Sequence, residues 1–144
     1  MITRLLATQI TWHWDVIKHS VQQVERIGCE EAGGRFNSLF ASLLSDKSQC
    51  FIKHEDGQIH GVMVTEIHED DVTKDRSLRL RSLYAYKPFS NDEWVDNFNI
   101  IRNLANSERC SSVVFESKHP KIIAMAQSVG FVDMFTTMKH TLGG

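Results

Sequence analysis

The residues with the most chemical character are scattered along the chain, and the first question is which could act together. His54, His60 and His68 fall within one short stretch, but no Asp or Cys stands beside them at metal-ligand spacing, so no metal site is expected. His13 and His19 lie on one amphipathic segment, six residues apart, and so point from different faces. Cys29, Cys50 and Cys110 form no CxxC pair and read as three reduced thiols in or near a core. No Ser-His-Asp spacing, Walker loop or dinucleotide fingerprint is present. Arg76, Arg79 and Arg81 make a local basic cluster beside the acidic run Glu69-Asp70-Asp71, which reads as a solvated strand edge that pairs internally. The remaining chemistry lies in the turn KPFSNDEWVD, residues 87–96. A helix N-terminus binds phosphate when small residues let oxygens reach backbone N–H groups and when its dipole is not already neutralised. This turn has no glycine, and Asp92 and Glu93 complement the dipole themselves.

The elements that must position these residues follow from periodicity. Met1 to Leu6 is a short apolar start, expected as a strand. Trp14, Ile17, Val21 and Val24 recur at helical steps and predict one helix from about Thr11 to Ile27, ended by Gly28. Of the crowded Trp12 and Trp14, one is expected in the core and the other as an exposed anchor for a partner. After Gly33 and Gly34, Phe36, Leu39, Phe40, Leu43 and Leu44 predict a second helix. Cys50–His54 and Gln58–His68 read as a hairpin around Asp56-Gly57, and 69–77 as an exposed loop. The strand Leu78–Tyr86 carries a phase slip: Leu78 and Leu80 share a face, Ser82 breaks the pattern and Leu83 resumes it. That is the signature of a β-bulge. Tyr84 and Tyr86 flank it, facing either the core or a cleft. Pro88 stops the strand. Ser90 with Glu93 forms a capping box for a helix to about Asn106 carrying Trp94, Phe98, Ile101 and Leu104 on one face. A buried strand at 110–116, a helix opened by Pro120 and ended by Gly130, and a last strand or bent pair within 131–142 complete the order.

A length of 144 residues and 42% apolar content suit one domain, 1–144, of mixed α/β (α+β) class. The formal net charge of −2 supplies no basic field for nucleic acid or an anionic membrane. Apolar runs stay below the roughly 20 residues a bilayer span needs, so the chain is expected to be soluble and intracellular.

The order of elements, with LYAYKP in the bulged strand and HPKIIAMAQSVGF at the last helix, resembles the GNAT superfamily of N-acetyltransferases over nearly the whole chain. The resemblance implies a mixed, mostly antiparallel sheet with helices on both faces. It also implies an acetyl-CoA site against Leu83, Ala85, Tyr86 and Asn91, with Glu66 or Glu116 as base and water or Tyr84 as acid. At the functional positions the sequence departs from the family. The family's (Gln/Arg)-x-x-Gly-x-(Gly/Ala) loop falls on 91–96, where Trp94 and Asp96 replace the small residues. The tyrosine acid of many members is Ala126 here, and the asparagine that opens their last helix is His119, a helix cap or hydrogen-bond donor. A carboxylate ~4 Å from a phosphate charge costs about 1 kcal/mol in water and about 4 at an effective dielectric of 20. The resemblance therefore implies a GNAT-fold protein with a degenerate acetyl-CoA site and no cofactor, serving as a binding or structural module with a protein partner or assembly. Short divergent proteins of this type are familiar among phages, some virion-associated. The alternative is an active N-acetyltransferase that uses acetyl-CoA on an amine.

Overall fold

The computed structural model describes residues 2–25, 29–117, 120–134 and 138–143, and the side chains of all of these except 25 and 29–33. Five strands form one sheet in the order β1 (Ile2–Arg4), β2 (Ser48–Glu55), β3 (Gln58–Glu69), β4 (Arg76–Ala85) and β5 (Ser112–Phe115). All neighbours are antiparallel except β4 and β5. The mixed, mostly antiparallel sheet is the one expected. The β2–β3 hairpin turns on Asp56 and Gly57, both at positive φ (52° and 75°), the conformation that a two-residue turn demands.

Helices α1 (Ala7–Trp12), α2 (Trp14–Glu25) and α3 (Cys29–Leu44) cover one face of the sheet. Their core joins Ile10, Ile17, Val21, Leu39 and Leu43 to Cys50, Ile52, Val62 and Val64. The single helix expected from Thr11 is instead two, broken at His13, with Ile10 of α1 and Ile17 of α2 entering the same core. Trp14 packs on Phe36 and Phe40, while Trp12 is 76% exposed, as their crowding suggested. The third helix begins at Cys29 and carries Gly33 and Gly34 inside it. Each glycine costs a helix interior about 1 kcal/mol, and burial of Leu39 and Leu43 outweighs that. Gly28, expected to end a helix, lies outside the described residues.

The opposite face is covered by α4 (Asn91–Ser107), whose Ile101, Leu104 and Ala105 bury against Phe51, Met63 and Leu78. A final helix, α5 (Pro120–Ser128), follows β5. The strand expected beyond Gly130 is not formed among the described residues 131–134 and 138–143. Val132, Met134, Met138 and Leu142 remain exposed there, so the apolar content that suggested a strand finds no ladder to join. In the 70–75 loop the Asp70 carboxylate accepts the amides of Thr73 and Val72, which hold it below the usual carboxylate range. Among the described residues no helix is long and apolar enough to cross a membrane.

Candidate functional site: the cleft between β4 and β5

The phase slip in β4 is a bulge. Val64 faces Ser82 and Thr65 faces Leu80, leaving Arg81 as the extra residue. Its consequence is that Leu80 and Leu83, three positions apart, both join the core on the α4 side. The bulge also marks where the sheet opens. Strand β5 pairs with β4 only from Ser77–Ser112 to Leu80–Phe115, and beyond that the two diverge. The amide of Tyr86 donates to the His60 carbonyl at 2.8 Å, toward β3. By strand alternation the backbone groups of Leu83 and Ala85 face the opposite way, into the opening.

A cavity of about 150 Å³ fills this opening. Leu80 and Leu83 of β4, Trp94, Phe98 and Ile101 of α4, and Phe115 of β5 form most of its walls. Met125 and Ala126 of α5 close it. The α4 residues follow from helical spacing, since 94, 97, 98 and 101 share one face and all four line the cavity. Trp94, which replaces a small residue of the family loop, is thus a wall of the cleft rather than an obstruction at the helix end.

The start of α4 is closed by the protein itself. The Ser90 hydroxyl accepts the Glu93 amide at 3.2 Å, and the Glu93 carboxylate accepts the Ser90 amide at 3.2 Å. The same carboxylate is ion-paired with Lys53 of β2, which is only 8% exposed. The Lys53 ammonium also stands over the Phe89 ring at 4.9 Å, and Phe89 packs edge-to-face on Trp94 at 5.6 Å. Phe89 can lie there because residue 61, opposite Lys53 in register, is a glycine. A carboxylate of the chain itself therefore accepts the amide at the N-cap of α4, the end of the helix where the dipole favours negative charge. The sequence suggested exclusion of phosphate by repulsion from several acids. In the structure the Glu93 charge is matched by Lys53, while Asp92 and Asp96 are exposed.

At the other side of the cleft the two candidate carboxylates share a cation. Arg79 reaches Glu116 at 3.1 Å and Glu66 at 4.0 Å, and Arg81 reaches Glu66 at 3.9 Å. Glu116 and Arg81 line the cavity. The basic cluster of the sequence pairs internally, with Arg76 joined to Glu108 at 3.7 Å. Tyr84 is not brought to the cavity. It packs edge-on against Tyr86 at 5.0 Å and His19 at 6.0 Å, on the side of α2, where the Tyr86 hydroxyl lies 3.4 Å from that of Ser20. Asn91 is exposed as the first residue of α4. His119 lies outside the described residues. The hairpin histidines are separate, His54 pairing with the Thr3 hydroxyl at 3.0 Å and His60 facing Glu55 at 3.7 Å. No cluster that could hold a metal is present among the described residues.

Two residues escaped the sequence reading. Lys53 was hidden in a buried strand run, where a lysine amid Phe51 and Ile52 is itself a signal that a carboxylate must be near. Ser82 was noted only as a break in phase. It is 2% exposed, lines the cavity, and its hydroxyl is the one buried side-chain polar atom without a partner among the described residues.

Neither Cys50 nor Cys110 lines the cavity. Burial pushes Cys50 up to about 12, and burial also raises Cys110, which is less enclosed. In a Cys29→Ser variant at pH 8, Cys110 is expected to react with a thiol reagent in the native protein, and Cys50 only in denaturant. Rapid native labelling of Cys50, read by mass spectrometry, would contradict its placement.

The chain matches no protein-family model, and the search of curated proteins found no match to it. Solved structures do resemble it. A predicted acetyltransferase from Clostridium acetobutylicum, solved with acetyl-CoA, superposes with a TM-score of 0.77 at 13% identity, covering 99% of this chain and 96% of that one. The aminoglycoside N-acetyltransferase AAC(6')-Iy, solved in complex with CoA, gives 0.72 at 14% identity over 100% and 95% of the two chains. The ribosomal-protein-alanine N-acetyltransferase from Brucella melitensis gives 0.70 at 12% identity over 99% and 98%. With its bulged β4, its β4–β5 opening and these near-complete superpositions, the chain has the fold of the GNAT N-acetyltransferases.

Proposed function

We propose that this protein is a GNAT-fold binding module rather than a working acetyltransferase, keeping the cleft but not the pyrophosphate site. The observation that carries this reading is the Glu93 carboxylate at the N-terminus of α4, capped by Ser90 and neutralised by Lys53. For a pyrophosphate to bind there it would have to displace a charge-matched internal carboxylate, one partner of which is nearly buried. Ala126 gives α5 no proton donor at the position where family members carry a tyrosine. Trp12, exposed on the far side of the sheet, is the aromatic anchor this reading offers to a protein partner.

A second reading, an active N-acetyltransferase, is favoured by one observation: the cavity in the β4–β5 opening has Glu116 on its wall and Glu66 linked to it through Arg79. In that reading one of these carboxylates is the base and water the acid, since Tyr84 packs toward α2. Thermal unfolding with and without millimolar acetyl-CoA separates the two. A ligand at 100 times its dissociation constant adds about 2.7 kcal/mol. No shift is expected. A clear shift that free CoA competes away would overturn the binding-module reading.

A further inference from the structure

Away from the cleft, three rings meet between α2 and the end of β4. Tyr84 stands at 86° to Tyr86 with centroids 5.0 Å apart and at 87° to His19 at 6.0 Å, while His19 and Tyr86 lie within 21° of parallel at 6.5 Å. Two near-parallel rings with a third at right angles to both make the walls and base of an aromatic cage. None of the three lines the cavity. The cluster is open to solvent, since His19 is exposed, Tyr86 is 43% exposed and Tyr84 is half-buried. It is also held in place. The buried Ser20 hydroxyl donates to the Val16 carbonyl at 2.9 Å, so across the 3.4 Å to Tyr86 the phenol is the donor. That bond turns the polar tip of Tyr86 inward and leaves the body of its ring for contact.

The faces of aromatic rings attract a cation within ~6 Å of the centroid. Centroids this close together bring one cation resting on the cluster within reach of all three rings. Elsewhere the chain fills its ring faces itself, with Lys18 over Trp14 at 6.0 Å, Lys53 over Phe89 at 4.9 Å and Arg102 over Phe98 at 5.3 Å. Among the described residues no Lys or Arg stands over His19, Tyr84 or Tyr86, and that includes Lys87, next to Tyr86 in the chain. We propose that His19, Tyr84 and Tyr86 form a site for an alkylammonium group carried on a lysine side chain of a partner protein. This rests on the reading of the chain as a protein-binding module, and it names what the partner presents. A lipid headgroup is disfavoured, because the exposed residues one turn from His19 on α2, Asp15 and Gln23, are polar and give the helix no apolar rim to enter a bilayer there.

The chain has two tyrosines and both belong to the cluster, so 13C-tyrosine labelling reports on this site alone. Choline, titrated at pH 8 where an imidazole is neutral, is expected to shift both tyrosine signals saturably. Its neutral isostere 3,3-dimethyl-1-butanol is expected to bind about 5-fold more weakly or less. Tyr86→Leu is expected to weaken choline by about 2- to 5-fold, the contribution of one exposed ring, read on the Tyr84 signal. His19→Lys, at an exposed helix position that accepts a lysine, sets a cation of the chain beside the rings. It is expected to remove the choline response while the melting temperature stays unchanged. Absence of a saturable shift would overturn the site, and equal binding of the alcohol would overturn its preference for a cation. A His19→Lys protein that binds choline as before would overturn the cage. Vesicles of phosphatidylcholine are expected not to sediment the protein, and sedimentation would overturn the assignment to a protein partner. A thermal shift with acetyl-CoA bears on the start of α4 and leaves the choline result standing, so the two readings fail separately.

Discussion

Glu93→Ala is expected to lower stability and at the same time to create an anion site. The variant loses the reciprocal half of the capping box and leaves the ammonium of Lys53 without its carboxylate at 8% exposure. Removing one partner of a fully buried pair costs about 3–5 kcal/mol, and because the Glu93 side chain is 36% exposed the expected loss here is about 1–3. The gain comes from the same atoms. With the carboxylate gone, the first amides of α4 and the Lys53 ammonium face an open position, and a charge-assisted hydrogen bond contributes about 1.5–3 kcal/mol. Acetyl-CoA affinity, measured by calorimetry, should rise by roughly tenfold or more. Lys53→Ala is the control: it breaks the same pair but supplies no cation, so it should destabilise without that gain. A destabilised Glu93→Ala with unchanged affinity for acetyl-CoA would show that the helix end is not what excludes the cofactor. Replacing Asp92, Trp94 and Asp96 by glycine, which the sequence alone recommends, is the poorer experiment, because Trp94 is a wall of the cleft.

Gly61→Ala is expected to disturb the same region from below. A Cβ there would stand 2.8 Å from the Phe89 Cζ and 3.3 Å from the Tyr84 carbonyl oxygen. The ring cannot simply swing away, since Lys53 and Trp94 hold its other contacts. Overpacking of this kind costs about 1–3 kcal/mol, several degrees in melting temperature for a chain of this size. The double variant Gly61→Ala with Phe89→Ala should be more stable than the sum of the two single losses, because the clash needs both side chains. Strict additivity would remove Phe89 from the contact.

Much of the fold was legible because its signals are local. The Asp-Gly turn of the β2–β3 hairpin, the Ser90 and Glu93 capping spacing and the slip at Ser82 each need only neighbours within a few residues, and each is found where expected. The failures were of two sorts. Helix boundaries near Thr11 and Gly33 moved because packing of Ile10, Ile17 and Leu39 overrode the local punctuation. The last strand failed because a strand needs a partner edge as well as apolar residues, and none is joined by the described residues beyond Gly130.

The sequence by itself determined the order of elements from the β2–β3 hairpin to α5, the bulge and the self-capped start of α4, since these signals are written in adjacent residues. Only the tertiary structure decided what those features do. It set Lys53 under Glu93, forty positions away, and so neutralised one acid of the helix start. It joined Glu66 to Glu116 through Arg79 and turned Tyr84 toward α2. Charge pairing and desolvation depend on distance in space, and for residues this far apart in the chain only the packing of strands and helices fixes that distance.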